Sequence, residues 1–291
     1  MKSLPECKIC LARQTYDCAK LISNDPKVQE DIISKVLPII DSLDISNISP
    51  PEATALVHAK IREITGADDV YKPLKVEYNK LALSLYPELK EMVAESEDRF
   101  EAALKIAMAG NVIDFGAHSA FDVEATLDEV MADSEISGSP QDLEKQIGRA
   151  KKVLYIGDNA GEIVFDKVFI EEIAAEGKEV VYAVKSSPAL NDVLMEDAEF
   201  CGLTEIVKVI ESGSGNAGTM YEDTTEAFKK IYHEADVVIA KGQGNLETLR
   251  DPKGLKDIFY LLKVKCPYLA DKLGLVMGKV TVLYSRAGER P

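Results

Sequence analysis

The sequence predicts an α/β protein: a Rossmann-like, mostly parallel sheet flanked by helices, preceded by an all-helical lobe. Three observations carry this. Up to about residue 145 the apolar residues recur at helical spacing. From residue 150 onward, short β-branched and aromatic runs alternate with helix-like stretches. Each of the first four runs is followed by a polar or Gly-rich segment, the pattern of right-handed βαβ units around a parallel sheet.

In chain order, Val28, Ile32, Val36 and Ile39, then Leu81, Leu85 and Leu89, then Leu104, Ile106, Ala107 and Met108 mark amphipathic helices. Pro50-Pro51 before Glu52-Ala53-Thr54 reads as a loop entering a helix, and Gly66-Ala67-Asp68-Asp69 as its stop. Ser137-Gly138-Ser139-Pro140 reads as a linker with one short helix after it, dividing a helical domain at 1–145 from an α/β domain at 146–291. The expected strands are Val153–Ile156, Glu179–Val184, Ile206–Ile210 and Asp236–Ala240, with further candidates near Tyr268–Ala270 and Val280–Tyr284. No repeat of fixed period and no low-complexity tract interrupts this order.

Composition narrows the function. Of 291 residues, 46% are hydrophobic and 29% charged, as in ordinary globular proteins. Fifty acidic against 34 basic side chains give a net charge of -16, which argues against an extended nucleic-acid surface and for a small-molecule partner. No stretch approaches the roughly 18 apolar residues of a membrane span, and the N-terminus lacks the apolar core of a secretory signal, so a cytoplasmic enzyme is expected. Oligomeric state is not legible.

Chemistry concentrates in the segments after the strands. Val153–Ile156 breaks into Gly157-Asp158-Asn159-Ala160-Gly161-Glu162. Asp158 and Asn159 supply hard oxygen ligands of the kind magnesium or manganese prefers, and the glycines let backbone amides approach an anion. If the sheet is parallel, Gly157–Glu162, Lys185–Asp192, Ser212–Thr219 and Lys241–Glu247 all emerge at one edge. Asp158, Asn159 and Asp192 then offer oxygens, Lys185 and Lys241 ammonium groups, and the Ser212–Thr219 loop donors at a helix N-terminus. Lys241-Gly242-Gln243-Gly244-Asn245-Leu246-Glu247 carries more polar groups than a merely flexible loop needs, so Gly242, Asn245 and Glu247 are candidate substrate contacts.

Other motifs weigh less. Ser212–Thr219 lacks the Lys-Ser/Thr ending of a P-loop and is read as a flexible loop lining the site. Cys7-Lys8-Ile9-Cys10 is one CxxC; zinc would need distant residues such as Cys18 or Cys266, and a thiol pair or disulfide is the other reading. His58, His118 and His233 share no metal-ligand spacing, and there is no Gly-x-Ser-x-Gly elbow.

The three segments at 157–162, 186–193 and 241–247 together resemble the DUF89 family of metal-dependent damage-control phosphatases. Cys7-x-x-Cys10 and Gly110–Gly116 resemble its prokaryotic branch, although Gly244 and Leu246 depart from that branch's pattern. The resemblance implies hydrolysis of small phosphate esters, such as sugar phosphates or damaged phosphometabolites. It implies a divalent ion (Mn, Co, Ni or Mg) on Asp158, Asn159 and Asp192, the motif lysine at Lys241, and pocket residues Asn111 and Asp114 from the helical lobe.

On this reading metal-activated water attacks phosphorus and Lys241 stabilises the equatorial oxygens. The amides of Ala160 and Gly161 complete the cradle, and Glu162 serves as acid or base, helix cap or water orienter. Asp158 as nucleophile stays open. An S-adenosylmethionine-dependent methyltransferase uses the same sheet edge but needs an acidic ribose ligand after the second strand. A non-catalytic phosphometabolite-binding protein would use the same loops.

Overall fold

The computed structural model describes residues 2–112, 127, 130–131, 136–249 and 256–288. Five helices come first: α1 (Pro5–Ile22), α2 (Pro26–Ser42), α3 (Pro50–Thr65), α4 (Lys72–Glu95) and α5 (Arg99–Val112). The sequence punctuates them. Proline, whose missing N–H costs nothing in a first turn, opens α1, α2 and α3. Ser49 and Glu52 form a reciprocal capping box at α3, and Gly66 ends that helix in the left-handed conformation.

There follow β1 (Ser137–Gly138), α6 (Pro140–Arg149), β2 (Lys152–Ile156), α7 (Glu162–Ala175), β3 (Glu179–Val184), α8 (Met195–Phe200) and β4 (Lys208–Glu211). Then come α9 (Glu226–Glu234), β5 (Val237–Lys241), α10 (Gly242–Leu249), β6 (Ile258–Lys263), α11 (Pro267–Leu273) and β7 (Val280–Ser285). The seven strands form one sheet in the order β1-β7-β6-β5-β2-β3-β4. Every neighbouring pair is parallel except β6 with β7.

From β2 the chain steps outward to β3 and β4, then returns to β5 on the other side of β2. Ligands of open α/β sheets bind at such a switch point, beyond the carboxyl ends of the strands. Here it lies between Gly157 and Gly242.

Alternation along the strands sorts two cores. Val153, Tyr155 and Ile239 face α5 and α7, packing with Leu104, Met108, Phe165 and Phe169. Leu154, Ile156, Val238 and Ala240 face α9, α10 and α11 through Phe228, Tyr232, Leu246 and Leu269. Helices α4 and α5 therefore share a core with the sheet, whereas α1–α3 close a separate cluster around Leu11, Ile32, Val36, Val57 and Ile61.

Several expectations are corrected. Tyr268–Ala270 lies in α11, because Pro267 sits in a first turn that suits it. The strands unread from sequence are β6, a six-residue run Ile258–Lys263, and the short β1. Lys241–Glu247 is not a loop: Lys241 ends β5 and Gly242 opens α10. Ser137-Gly138 is an edge strand on β7 rather than a free linker. The strand expected from Ile206 starts at Lys208.

Candidate functional site

Two crossovers are stitched together at the switch point. Val193 N donates to Asp158 O at 2.8 Å and Ala160 N donates to Asn191 O at 2.9 Å. Asn159 and Asp192 face each other as an isolated antiparallel bridge. The backbone thus sets Asp158, Asn159 and Asp192 side by side, although 158 and 192 lie on different βα connections. Leu190, in the same turn, holds a left-handed φ of 51°, a strain that persists only where its surroundings enforce it.

The donors around these carboxylates come from both parts of the chain. Asn111, in the last turn of α5, donates from Nδ2 to Asp158 Oδ2 at 3.2 Å and to both oxygens of Glu162 at 3.2 and 3.1 Å. Asn159 Nδ2 donates to Asp158 Oδ2 at 2.8 Å and Glu162 Oε2 at 3.1 Å. Asp192 Oδ2 is buried with no hydrogen-bond partner, and its nearest cation, Lys185 Nζ, stands 3.6 Å away.

Burial, then the neighbouring Glu162 and Asp192 carboxylates, raise the Asp158 pKa well above the usual range. Burial raises Asp192 to about 6 against the pull of Lys185. Three carboxylates thus lie close together, with Lys185 against Asp192 and Lys241 against Glu162.

The lysines are committed elsewhere. Lys241 is fully buried; its Nζ reaches Ala107 O at 2.7 Å, Asp166 Oδ1 at 2.5 Å and Glu162 Oε1 at 2.7 Å. These three acceptors use its three protons, so the expected role on equatorial phosphate oxygens gives way to clamping Glu162. Burial alone would lower its pKa, but Asp166 and Glu162 raise it instead. Asp166 also accepts from Tyr155 and Tyr182 at 2.7 and 3.2 Å, and burial holds its pKa up at about 6. Lys185 donates to Gly218 O at 2.6 Å and Thr219 Oγ1 at 3.1 Å, fixing the Ser212–Thr219 loop.

The expected amide cradle is likewise taken: Ala160 N is spent on Asn191 O, and Gly161 N donates to Asn79 Oδ1 at 2.7 Å. Gly161 has φ 79° and caps α7, so Glu162 falls in that helix's first turn. Gly242, φ 76°, packs on Asp158; a Cβ there would lie 1.9 Å from Oδ2. Asn245 supports the turn instead of facing ligand, donating to Lys241 O at 2.7 Å and Gly157 O at 3.1 Å. Asp114 lies outside the described residues.

Asp158, Asn159, Asp192 and Asn111 line a cavity of about 940 Å³, which also receives Gly218, Gln243, Gly244 and Glu247. Glu247, pushed up to about 7 by burial, is the one acidic member of the 241–247 motif facing it. Sequence reasoning missed Lys263 and Lys265, which also line the cavity while Val264 between them is buried. Among the described residues neither forms an ion pair, unlike Lys75, Lys185 and Lys241. Alternation at the end of an apolar strand was the available signal, hidden because β6 itself was not recognised.

Cys7, Cys10 and Cys266 gather on one wall of the same cavity, all as free thiols, whereas Cys18 is buried among the α1–α3 helices. Burial raises the pKa of both Cys7 and Cys10. Among the described residues no group of three or more His, Cys, Asp or Glu side chains is arranged to hold a metal ion. No described helix is long and apolar enough to cross a membrane.

A mostly parallel sheet with helices on both faces and two crossovers meeting at its switch point defines a class, the doubly wound α/β proteins. A solved DUF89 family protein from Pyrococcus horikoshii matches with a TM-score of 0.88 at 31% identity, over 99% of both chains. The chain belongs to the phosphatase family described as "Damage-control phosphatase ARMT1-like domain", which matches residues 3–280. A damage-control phosphatase from Archaeoglobus fulgidus is 30% identical over 96% of this chain and 97% of its own. An uncharacterised protein from Methanocaldococcus jannaschii is 38% identical over 97% of this chain and 95% of its own.

Proposed function

We propose that the protein hydrolyses small phosphate monoesters with a divalent metal ion held by Asp158, Asn159 and Asp192. The observation that carries this is the buried Asp192 Oδ2, without a hydrogen-bond partner although Lys185 stands 3.6 Å away, beside the half-buried Asp158 carboxylate. Such a corner is costly unless a cation completes it. Two carboxylates and an amide form a hard oxygen set suited to magnesium or manganese, short enough to leave positions for water and substrate. A bound ion there supplies charge neutralisation for the phosphoryl group and acidifies water.

The chain's own residues supply the rest. Asn111 and Asn159 hold Asp158 by its Oδ2, so this carboxylate is oriented as a ligand more than freed as a nucleophile. Lys241 and Asn111 fix Glu162, whose role is then to orient Asn159 and balance local charge rather than to shuttle a free proton. Lys263 and Lys265 line the cavity without an ion pair among the described residues, and we assign them the phosphate oxygens expected of Lys241 from the sequence. The cavity has the size of sites for metabolites with an organic portion well beyond phosphate. Sugar phosphates and damaged phosphometabolites fit that description, and the names of the archaeal relatives support the same class.

The test is phosphate release from a panel of sugar phosphates with manganese, cobalt, nickel or magnesium, before and after chelation. Metal-restored turnover is expected. Ligand binding without any phosphate release would favour a binding protein, and S-adenosylmethionine binding a methyltransferase.

A further inference from the structure

Asn79 lies in α4, 82 positions before the residue it touches, and neither the family motifs nor the cavity includes it. Its side chain is 1% exposed. Oδ1 accepts from Gly161 N at 2.7 Å, and Nδ2 donates to Asp197 Oδ1 at 2.8 Å. The other Asp197 oxygen accepts from Leu194 N at 2.8 Å. One turn earlier, buried Lys75 stands 2.8 Å from Asp69 and 3.6 Å from Asp197 Oδ2. Asn79 thus has both ends of its amide bonded, while Lys75 and Asp69 meet as an ion pair without hydrogen-bond geometry.

Gly161 ends the loop that begins at Asp158, and Leu194 ends the loop that carries Asp192. We infer that Asn79 is a positioning residue for the metal-ligand pair: through Gly161 on one side and Asp197 on the other, it fixes the separation of Asp158 and Asp192. The inference rests on the phosphatase reading above. Its physical basis is that the two ligand-bearing turns otherwise meet through only a few backbone bonds, while α4 is a rigid element anchored in the sheet-side core through Ala82, Leu85 and Leu89. The link also explains why the Gly161 amide is turned away from the cavity.

The hydrogen bonds dictate the test, because donor and acceptor can be exchanged. Asn79→Asp sets a second carboxylate against Asp197, and Asp197→Asn sets amide against amide. In the double variant the carboxylate at position 79 accepts from Gly161 N and from the new amide at position 197, whose oxygen still accepts from Leu194 N. The readouts are calorimetric affinity for manganese(II) alone, and kcat and KM for p-nitrophenyl phosphate. Removal of groups that orient metal ligands typically costs about 10- to 100-fold in affinity or activity. Each single variant, and Asn79→Ala, is expected to lose at least about 10-fold in manganese affinity and in kcat, with the double variant back within about 3-fold.

Leu85→Ala, which loosens the same helix away from the network, is expected to lower stability while leaving manganese affinity unchanged. Losses that simply add in the double variant, or single variants with unchanged manganese affinity, overturn the inference. Wild-type protein that binds none of manganese, cobalt, nickel and magnesium overturns the metal-phosphatase reading itself, and the inference with it.

Discussion

At the scale of single residues, the site is defined by what each polar atom is already doing. Asp192 keeps one oxygen without a hydrogen-bond partner and Asp158 lines the same cavity, whereas Lys241, Lys185 and the Ala160 and Gly161 amides are used up within the protein. Asp158→Asn should therefore cut phosphate release by more than the ~100-fold that loss of a supporting residue costs, with the fold intact by circular dichroism. Gly242→Ala should cost roughly 1–2 kcal/mol for its positive φ, and should lower turnover as well, because the added Cβ strikes Asp158 Oδ2. Chemical denaturation beside a phosphate-release assay reads both; normal activity in this variant would show that Asp158 tolerates displacement. The oxygen-bearing residues were legible because several polar segments after strands converge on one sheet edge; an Asp-Asn pair alone is common turn chemistry. The commitments of the lysines and amides were not legible, since they depend on Asn79, Asp166 and Ala107, which no local pattern connects to the motifs.

At the scale of elements, α7 and β5 are joined by a buried ion cluster. Lys241→Met leaves Glu162 and Asp166 facing each other without a cation, which should cost roughly 3–5 kcal/mol by urea denaturation. A loss under about 1 kcal/mol would mean that the carboxylates find protons instead.

Helix α3 carries a second buried titratable group. Burial, with Arg62 adding to it, holds the His58 pKa down at about 4 against an ordinary 6.5. Above pH 6.5 the imidazole is neutral in both states and stability is complete. As pH falls from 6.5 through about 4, the unfolded chain takes up a proton that the folded chain refuses, and stability drops by roughly 3 kcal/mol. His58→Leu should flatten that slope in denaturation midpoints measured across pH 4 to 7; an unchanged slope would place the acid sensitivity elsewhere.

Element order was legible wherever β-branched runs abut glycine, as at Val153–Ile156 and Glu179–Val184. It failed at α10, where Gly-rich sequence folds as helix because Asn245 bonds back to Lys241 O and Leu246 and Leu249 bury against the sheet. It failed again at β6 and α11: the apolar run Ile258–Leu262 carries the stronger strand signal, whereas Tyr268–Ala270 follows a helix-opening Pro267.

At the scale of the molecule, a chain with net charge -16 sets Asp158 and Asp192 on its cavity, with Glu162 behind them, and brings Lys2, Lys263 and Lys265 to the same cavity without an ion pair among the described residues. This arrangement suits the cation and phosphate proposed above. Helices α4 and α5 belong to the same core as the sheet, so the residues they bring, Asn79 and Asn111, are as fixed as those of the strands. The most direct measurement is a calorimetric titration of chelator-treated protein with manganese(II), comparing wild type with Asp192→Asn. The account predicts one site per chain in the wild type, weakened by at least about 100-fold in the variant. Equal affinity in both proteins would contradict it, because the two crossovers would then not share the ion.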